Sequence, residues 1–384
     1  MRIGLSGTFW GLETTGSGQY VRHLLQALGS LAPTEEYTLF LPRYLGNKGP
    51  APGMPWQARS LRTPFDGLHE NLAKVWFEQF SFPRACARIG LDVAHVPYFA
   101  PPLWPRVPTV VTIHDLIPLI LPEYRGSPWV QGYMRLVSRA ARGAALVLTD
   151  SQASARDILR LLRIPPERLR VIYLAADALY RPLAPAEWQP TCARLGLPSR
   201  YLLYLGGFDR RKNLAVLLEA FALARGRLKG VSLVIAGRLP QRDSAFAPDP
   251  QRIAQRLGLG DSVRYTGWVA EEDKPALYAG AEAFLFPSCY EGFGLPVLEA
   301  ISCSTPVIVG GGSSLEEVAG PGGLVVSPED VSALAEAMVR LTHEPKLRQE
   351  LSARGQEHAR GFSWAQTARE TLSAYREAVT LSSR

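Results

Sequence analysis

The chain has 384 residues, more than one ordinary domain of roughly 100–200 residues needs. Hydrophobic residues make up 47% and charged residues 20%, a balance that supplies a core and excludes a largely disordered chain. The net charge of +7 is unevenly placed: residues 1–182 carry 20 Lys+Arg against 13 Asp+Glu, whereas residues 183–384 carry 22 of each.

The opening MRIGLSGTFW has a single Arg before a short strand-like run, Arg2–Ser6, which is no signal peptide. Gly16 and Gly18 precede an amphipathic helix over Gly18–Leu31, whose apolar stripe is Val21, Leu24, Leu25 and Leu28. A dinucleotide fingerprint would need a third glycine, and Val21 fills that position, so a nicotinamide dehydrogenase is disfavoured. Further short apolar strands are expected at Tyr37–Leu41, Asp92–Val96, Thr109–Ile113, Ala145–Thr149 and Arg170–Tyr173. Val107–Leu121 is the longest apolar run, but His114, Asp115 and Pro118 interrupt it, and it falls short of the ~20 residues a membrane helix needs. His114 and Asp115 end a strand, where a doubly wound fold presents its site residues. Arg135, Arg139 and Arg142 recur at helical spacing beside Trp129 and Tyr133. That stripe reads equally as a solvated face or as a surface for an anionic acceptor or membrane.

Pro182, Pro185, Pro190 and Pro198 make Arg181–Arg200 the expected linker. A second set of strands follows at Tyr201–Leu205, Ser232–Ala236, Val263–Thr266, Ala283–Phe286, Pro306–Val309 and Gly323–Val326. Strands alternating with helical stretches imply parallel sheets covered by helices. The expected division is an N-terminal domain over 1–182, a C-terminal domain over 183–362, and a terminal helix over 363–384 that packs back on the first domain. Cys86, Cys192, Cys289 and Cys303 have no CxxC pairing and no His-rich neighbourhood, which argues against a zinc site and for a reduced, cytoplasmic protein.

The most informative segment is Ala283–Val309, AFLFPSCYEGFGLPVLEAISCSTPVIV. It reads as a buried strand, a loop with Gly292 and Gly294, a helix opened by Leu295 and Pro296, and a second strand. A glycine-bearing loop at a helix N-terminus presents backbone N–H groups to a phosphate. Glu291 lies in the loop and Glu299 in the expected first turn of the helix. Carboxylates accept paired hydrogen bonds from sugar hydroxyls, so one at each end of such a turn can hold a sugar and a ribose. A lone carboxylate near a helix start would read as a dipole partner. The whole strand–loop–helix context favours binding.

EGFGLPVLEA, with FPS before it and TPVIV after, resembles the donor motif of the family 4 retaining glycosyltransferases. VVTIHDLIPL, LYLGGFDRRKNLAVLLEAF, VRYTGWVAEEDKPALYAGA and the Gly16–Gly18 loop match in order. The resemblance implies the GT-B fold: two doubly wound Rossmann-like domains facing across a cleft. It implies that Glu299 binds the donor ribose, that Glu291 contacts the transferred sugar, and that the backbone of Gly292, Phe293, Gly294 and Leu295 lines the sugar–diphosphate pocket. Arg211 and Lys212 would neutralise the diphosphate leaving group. Gly207 stands where many relatives carry Arg, and Ser304 where they carry Gly. Gly237 and Trp268 resemble edges of the nucleobase pocket, and Gly16 and Gly18 would face the diphosphate. His114 would sit near the transferred sugar.

The implied reaction moves a hexose with retention from a nucleotide sugar to a glycan or lipid-linked acceptor in polysaccharide or glycolipid synthesis. The HDLIPL and RKN variants lean towards mannose from GDP-mannose. No cofactor and no metal are expected, since no Asp-x-Asp or His cluster stands at a strand end. Partners are the donor, the acceptor and an anionic membrane face, with no nucleic acid. Alternatives from other classes are an epimerase-like enzyme of the same fold and a nucleotide-sugar-binding protein without turnover.

Overall fold

The computed structural model describes residues 1–12, 15–46 and 54–382. The chain divides into two compact units, Met1–Leu174 with Ser363–Arg384, and Ala175–Phe362.

In the first unit, among the described residues, seven strands form one parallel sheet. They are β1 (Arg2–Ser6), β2 (Glu36–Pro42), β3 (Trp56–Leu61), β4 (Val93–Val96), β5 (Thr109–Thr112), β6 (Leu146–Thr149) and β7 (Leu169–Val171), in the order β3-β2-β1-β4-β5-β6-β7. The strand order reverses at β1, where Ile3 lies opposite Tyr37 on one side and Val93 on the other. Every residue of β4, β5 and β6 is buried, as parallel strands covered on both faces must be. The Gly16–Leu31 helix buries Val21, Leu24, Leu25 and Leu28. It packs against the terminal helix Trp364–Ser382, which buries Thr371, Leu372, Tyr375 and Ala378.

The second unit repeats the plan with β8 (Tyr201–Leu205), β9 (Ser232–Ala236), β10 (Val263–Gly267), β11 (Ala283–Phe286), β12 (Val307–Gly310) and β13 (Gly323–Val326). The order is β10-β9-β8-β11-β12-β13, and every pairing is parallel. Leu202 of β8 lies opposite both Leu233 and Ala283, so the reversal falls between β8 and β11. Phe284, Leu285 and Phe286 are wholly buried; each such side chain contributes about 1.5–3 kcal/mol on leaving water.

Two expectations change. The sequence reading contains no strand at Trp56–Leu61, because β3 is an edge strand with four of its six residues exposed, so it shows no apolar run. The proline cluster taken as a linker contains a helix, Pro185–Arg194. Pro185 sits at its start, where a missing N–H costs nothing, and the Glu187 carboxylate accepts from the Ala184 N–H at 2.9 Å. This helix packs on Lys274–Gly280 inside the second unit.

Candidate functional site

In open parallel sheets a ligand sits beyond the carboxyl ends of the strands where their order reverses. In the Ala175–Phe362 unit that place is flanked by the segment after β8, which carries Arg211 and Lys212, and the segment after β11, which carries Glu291. The two are joined directly. The Cys289 N–H donates to the Arg211 carbonyl at 2.8 Å, the Arg211 guanidinium donates to the Tyr290 carbonyl at 2.9 Å, and the Asn213 amide donates to Pro287 O at 3.1 Å and Pro328 O at 2.6 Å. Asn213 adopts φ 62°, a left-handed conformation that Asn tolerates better than most residues. The RKN triplet thus supplies two cations and the residue that fixes the turn under them. Ser314 completes the frame, with its hydroxyl 2.9 Å from Glu291 O and 2.8 Å from Phe293 O.

Glu291 is the electrostatic centre. Its carboxylate lies 2.7 Å from Lys212 Nζ and 2.5 Å from the Arg211 guanidinium. Burial pushes this carboxyl up, yet Lys212 and Arg211 together outweigh burial and hold it below its ordinary range. Lys212 Nζ also lies 4.8 Å from the centre of the Phe286 ring, a cation–π contact. Arg210 is exposed, and its backbone N–H bonds Phe246 O at 2.7 Å. Of the two adjacent arginines, it is Arg211 that faces the Glu291 loop.

Glu299 behaves in the opposite way. The helix runs Leu295–Ser302, so Glu299 stands in the second turn and not in the first; the correction follows from Gly294 being the cap and Leu295 the first helical residue. It is 5% exposed, and burial pushes its carboxyl up to about 7. The Tyr278 hydroxyl donates to it at 2.9 Å. Gly294 has φ 106°, and a Cβ there would meet Leu315 Cδ2 at 2.5 Å, so only glycine fits. No side chain caps this helix. Gly292 and Phe293 are buried and Leu295 partly so, with Phe293 set edge-on against Phe362.

Of the remaining positions expected at the donor site, Gly237 has φ 142° and a Cβ there would lie 2.3 Å from Gly206 O. Close backbone approach therefore accounts for that glycine. Gly207 has room for a side chain, meeting only Asp209 Oδ2 at 3.5 Å, and its carbonyl accepts from the Tyr204 hydroxyl. Trp268, just past β10, is 59% exposed.

In the other unit, His114 follows β5 and Asp150 follows β6. His114 Nδ1 lies 2.5 Å from Asp150 Oδ2, and Nε2 lies 3.2 Å from Pro97 O. Both partners accept only, an arrangement that favours a proton on each ring nitrogen. Burial alone would lower the His114 pKa, but Asp150 reverses that and leaves it raised. Tyr20 packs edge-on at 5.0 Å. His95, fully buried between Tyr375 and Thr112 at 2.7 and 2.8 Å, is driven down to about 3 by burial; it is a neutral core bridge. Gly18 has its N–H taken by Thr15 Oγ1 at 3.2 Å, and a Cβ there would lie 1.9 Å from Leu12 O. Gly16 opens the helix with nothing within 4 Å of a Cβ.

Several working residues escaped the sequence reading: Asn213, Ser314, Tyr278 and Asp150. Asn213 stood in the RKN triplet without a role of its own, and Asp150 had a signal in being an acid one residue past the buried strand Leu146–Thr149. Tyr133, expected beside the arginine stripe, instead donates to Glu78 at 2.9 Å from another face of its helix. Glu78 is buried, and burial pushes it up to about 7. Among the described residues no group of three or more His, Cys, Asp or Glu is placed to hold a metal ion, and no helix is long and apolar enough to cross a membrane.

Residues 14–178 match the family described as Glycosyltransferase Family 4, and residues 194–358 match Glycosyl transferases group 1. The chain is 35% identical to the O-antigen chain mannosyltransferase B of Escherichia coli, over 70% of each chain. It is 29% identical to the MMP alpha-(1->4)-mannosyltransferase of Mycolicibacterium hassiacum, over 99% of this chain and 98% of that one. Among solved structures, sucrose-phosphate synthase from Thermosynechococcus elongatus superposes with a TM-score of 0.78 at 24% identity, covering 98% of each chain. Anabaena Alr3699/HepE in complex with UDP and glucose superposes with a TM-score of 0.74 at 19% identity, covering 100% of each. The fold is GT-B.

Proposed function

Since the chain belongs to the family 4 glycosyltransferases, we propose that it moves a mannosyl residue from GDP-mannose to a glycan or lipid-linked acceptor, with retention and without a metal. The observation that carries this reading is the Arg211–Lys212–Glu291 cluster at the strand-order reversal of the second unit. Two cations held 2.5 and 2.7 Å from one carboxylate are already gathered where a diphosphate would bind, and preorganised charge stabilises a leaving group at little further cost. The mannosyltransferase relatives support the choice of sugar.

In this reading the bond from the sugar's anomeric carbon to the diphosphate oxygen breaks, with Arg211 and Lys212 taking up the charge. The acceptor oxygen bonds to the same face of that carbon, and its proton passes to a diphosphate oxygen. No side chain need act as nucleophile. His114 fits a donor role better than that of a base, since both its ring nitrogens face acceptors and Asp150 raises its affinity for a proton.

A thermal-shift panel of GDP-, UDP- and ADP-sugars tests the donor. Any of them at 100 times its Kd stabilises by about 2.7 kcal/mol, and GDP-mannose is expected to do so. A shift with UDP-sugars alone would reject the mannose reading. His114→Ala is expected to lower transfer strongly while leaving the GDP-mannose shift unchanged; transfer at the wild-type rate would refute the role of His114. Transfer is expected to persist in EDTA, and its loss there would end the metal-free reading. Donor binding with neither transfer nor donor hydrolysis would point to a binding protein.

A further inference from the structure

A pocket of about 570 Å³ opens in the first unit beside the Pro128–Ala141 helix, within the usual size for small-molecule sites. Arg125, Arg135, Arg139 and Arg142 line it, and no Asp or Glu does. Some surface arginines elsewhere in this chain are paired, Arg170 with Glu377, Arg200 with Glu282 and Arg227 with Glu336. Among the described residues, no ion pair joins a carboxylate to the four around the pocket, and of their side chains Arg142 donates to Leu162 O at 3.0 Å. Guanidinium groups are permanent cations, and like charges four apart on a helix repel. The helix dipole offsets that for Arg139, near the C-terminal end, but not for Arg125 or Arg135. The lining is thus positive with no acid in it, and a concave surface lined by one sign of charge attracts the opposite sign.

The floor indicates which kind of anion. Leu119, Met134, Leu161 and Leu162 form it, and Leu161 is 37% exposed. Met134 and Leu162 are already buried, and a bare phosphate would satisfy the arginines but leave Leu161 and the partly buried Leu119 in water. A phosphate ester with a hydrocarbon chain satisfies both, since guanidinium forks match phosphate oxygens and the chain covers the apolar side chains. The pocket also adjoins the candidate site along the chain. Pro118 and Leu119 belong to the helical turn Ile117–Ile120, which starts three residues after His114 and is held by the Asp115 carboxylate accepting from the Ile117 N–H at 2.9 Å.

We propose that this pocket binds one phosphorylated amphiphile, its phosphate on Arg135 and Arg139 and its hydrocarbon against Leu119 and Leu161. Under the acceptor reading above, on which this last step rests, the pocket anchors the acceptor's phosphate and lipid and delivers its sugar end towards His114. Binding itself is independent of that reading.

Calorimetric titration of the full chain with monomeric decyl phosphate tests it, beside decanol and inorganic phosphate. Saturable binding of one decyl phosphate per chain is expected, with each of the other two weaker by roughly tenfold or more. The double variant Arg135→Ala/Arg139→Ala is expected to lose at least tenfold in decyl phosphate affinity, with its melting temperature and its GDP-mannose shift unchanged. Equal binding of decanol, equal binding of inorganic phosphate, or an unaffected double variant would each overturn the proposal. Phosphatidylglycerol vesicles supply a second arm. Retention on vesicles without decyl phosphate binding would assign the arginines to a membrane face and overturn the pocket. Intact decyl phosphate binding with no transfer to any acceptor would sink the proposed function and leave the pocket standing.

Discussion

Replacing Glu299 by Gln should stabilise the protein while weakening its hold on the donor, and both effects should depend on pH. Glu299 is buried, and burial raises its carboxyl from an ordinary 4.5 to about 7. Between those values the folded chain keeps a proton that the unfolded chain has released. Stability therefore falls as pH rises through this interval, and is flat above it. Each pH unit of the interval is worth about 1.4 kcal/mol, so ionising Glu299 in its site costs roughly 3 kcal/mol at neutral pH and above. Glutamine has the same shape, accepts the Tyr278 hydroxyl through its carbonyl oxygen, and carries no charge to desolvate. The variant should match the wild type near about pH 5 and exceed it by up to about 3 kcal/mol near about pH 8.

Urea denaturation of both proteins at the two pH values, followed on the transition of the Ala175–Phe362 unit, measures the difference directly. Glu78, also raised to about 7 by burial, contributes equally to both proteins and cancels. The donor effect runs the other way. A carboxylate accepts two ribose hydroxyls with charge-assisted bonds worth about 1.5–3 kcal/mol against about 1 for neutral ones. Wild-type donor affinity should then rise with pH through about 7, and the Gln variant should be weaker and indifferent to pH. A variant no more stable than wild type at the higher pH, or a gain equal at both, would refute the desolvation argument.

Glu291→Gln should act with the opposite sign on stability. It leaves Arg211 and Lys212 without their carboxylate, and breaking a buried pair costs about 3–5 kcal/mol. Denaturation should show that loss, and GDP should recover more of it than GDP adds to the wild type; unchanged stability without ligand would refute the pairing. Because the cations hold the Glu291 carboxyl low, its contribution is present above the ordinary carboxylate range and is lost as pH falls through its depressed value. Ser304 has φ 63°, a conformation costing a non-glycine residue roughly 1–2 kcal/mol. Ser304→Gly should raise stability by about 1 kcal/mol in the same experiment and leave transfer unaltered; a loss of stability would refute the strain argument, since the carbonyl that accepts from the Ser352 hydroxyl is backbone and is unchanged.

What the sequence showed, and what it hid, follows burial. Tyr201–Leu205, Ser232–Ala236 and Ala283–Phe286 were legible to the residue, because strands buried on both faces must be continuous apolar runs. Trp56–Leu61 was not, since an edge strand gains its place from backbone pairing with β2, as in Tyr37 opposite Trp56, and pairing leaves no composition signal. Pro185–Arg194 was misread because proline at a helix start and proline in a linker are the same letter. At the candidate site, Glu291, Lys212 and Gly294 stood out through residue type and spacing. Ser314 and Tyr278 did not: each works through hydrogen bonds to residues more than twenty positions away in the sequence (Ser314 to Glu291 O and Phe293 O, Tyr278 to Glu299), and nothing local marks them.

The two glutamates, alike in sequence, are held in opposite states for one physical reason each. Glu291 faces two cations, so its charge is stabilised before any ligand arrives; at Glu299 burial outweighs Lys274 and the Tyr278 hydroxyl, so its charge is not. The cations cannot fully serve Glu291 and a diphosphate at once. If a diphosphate binds there, its greater charge draws Arg211 and Lys212 away from the carboxylate, and Glu291 is released to accept hydroxyls of the sugar. Without the glutamate, two buried cations would repel each other with nothing between them, and the RKN turn would be the less stable for it. Under the proposed function Glu291 would do two things in sequence: store the cations in place, as the paired geometry does here, and turn to the sugar when a phosphate takes them over. Glu291→Gln separates these, since glutamine can still bond a hydroxyl but cannot hold two cations. Donor affinity that survives this change while unliganded stability falls would mark storage as the larger share of what the carboxylate contributes.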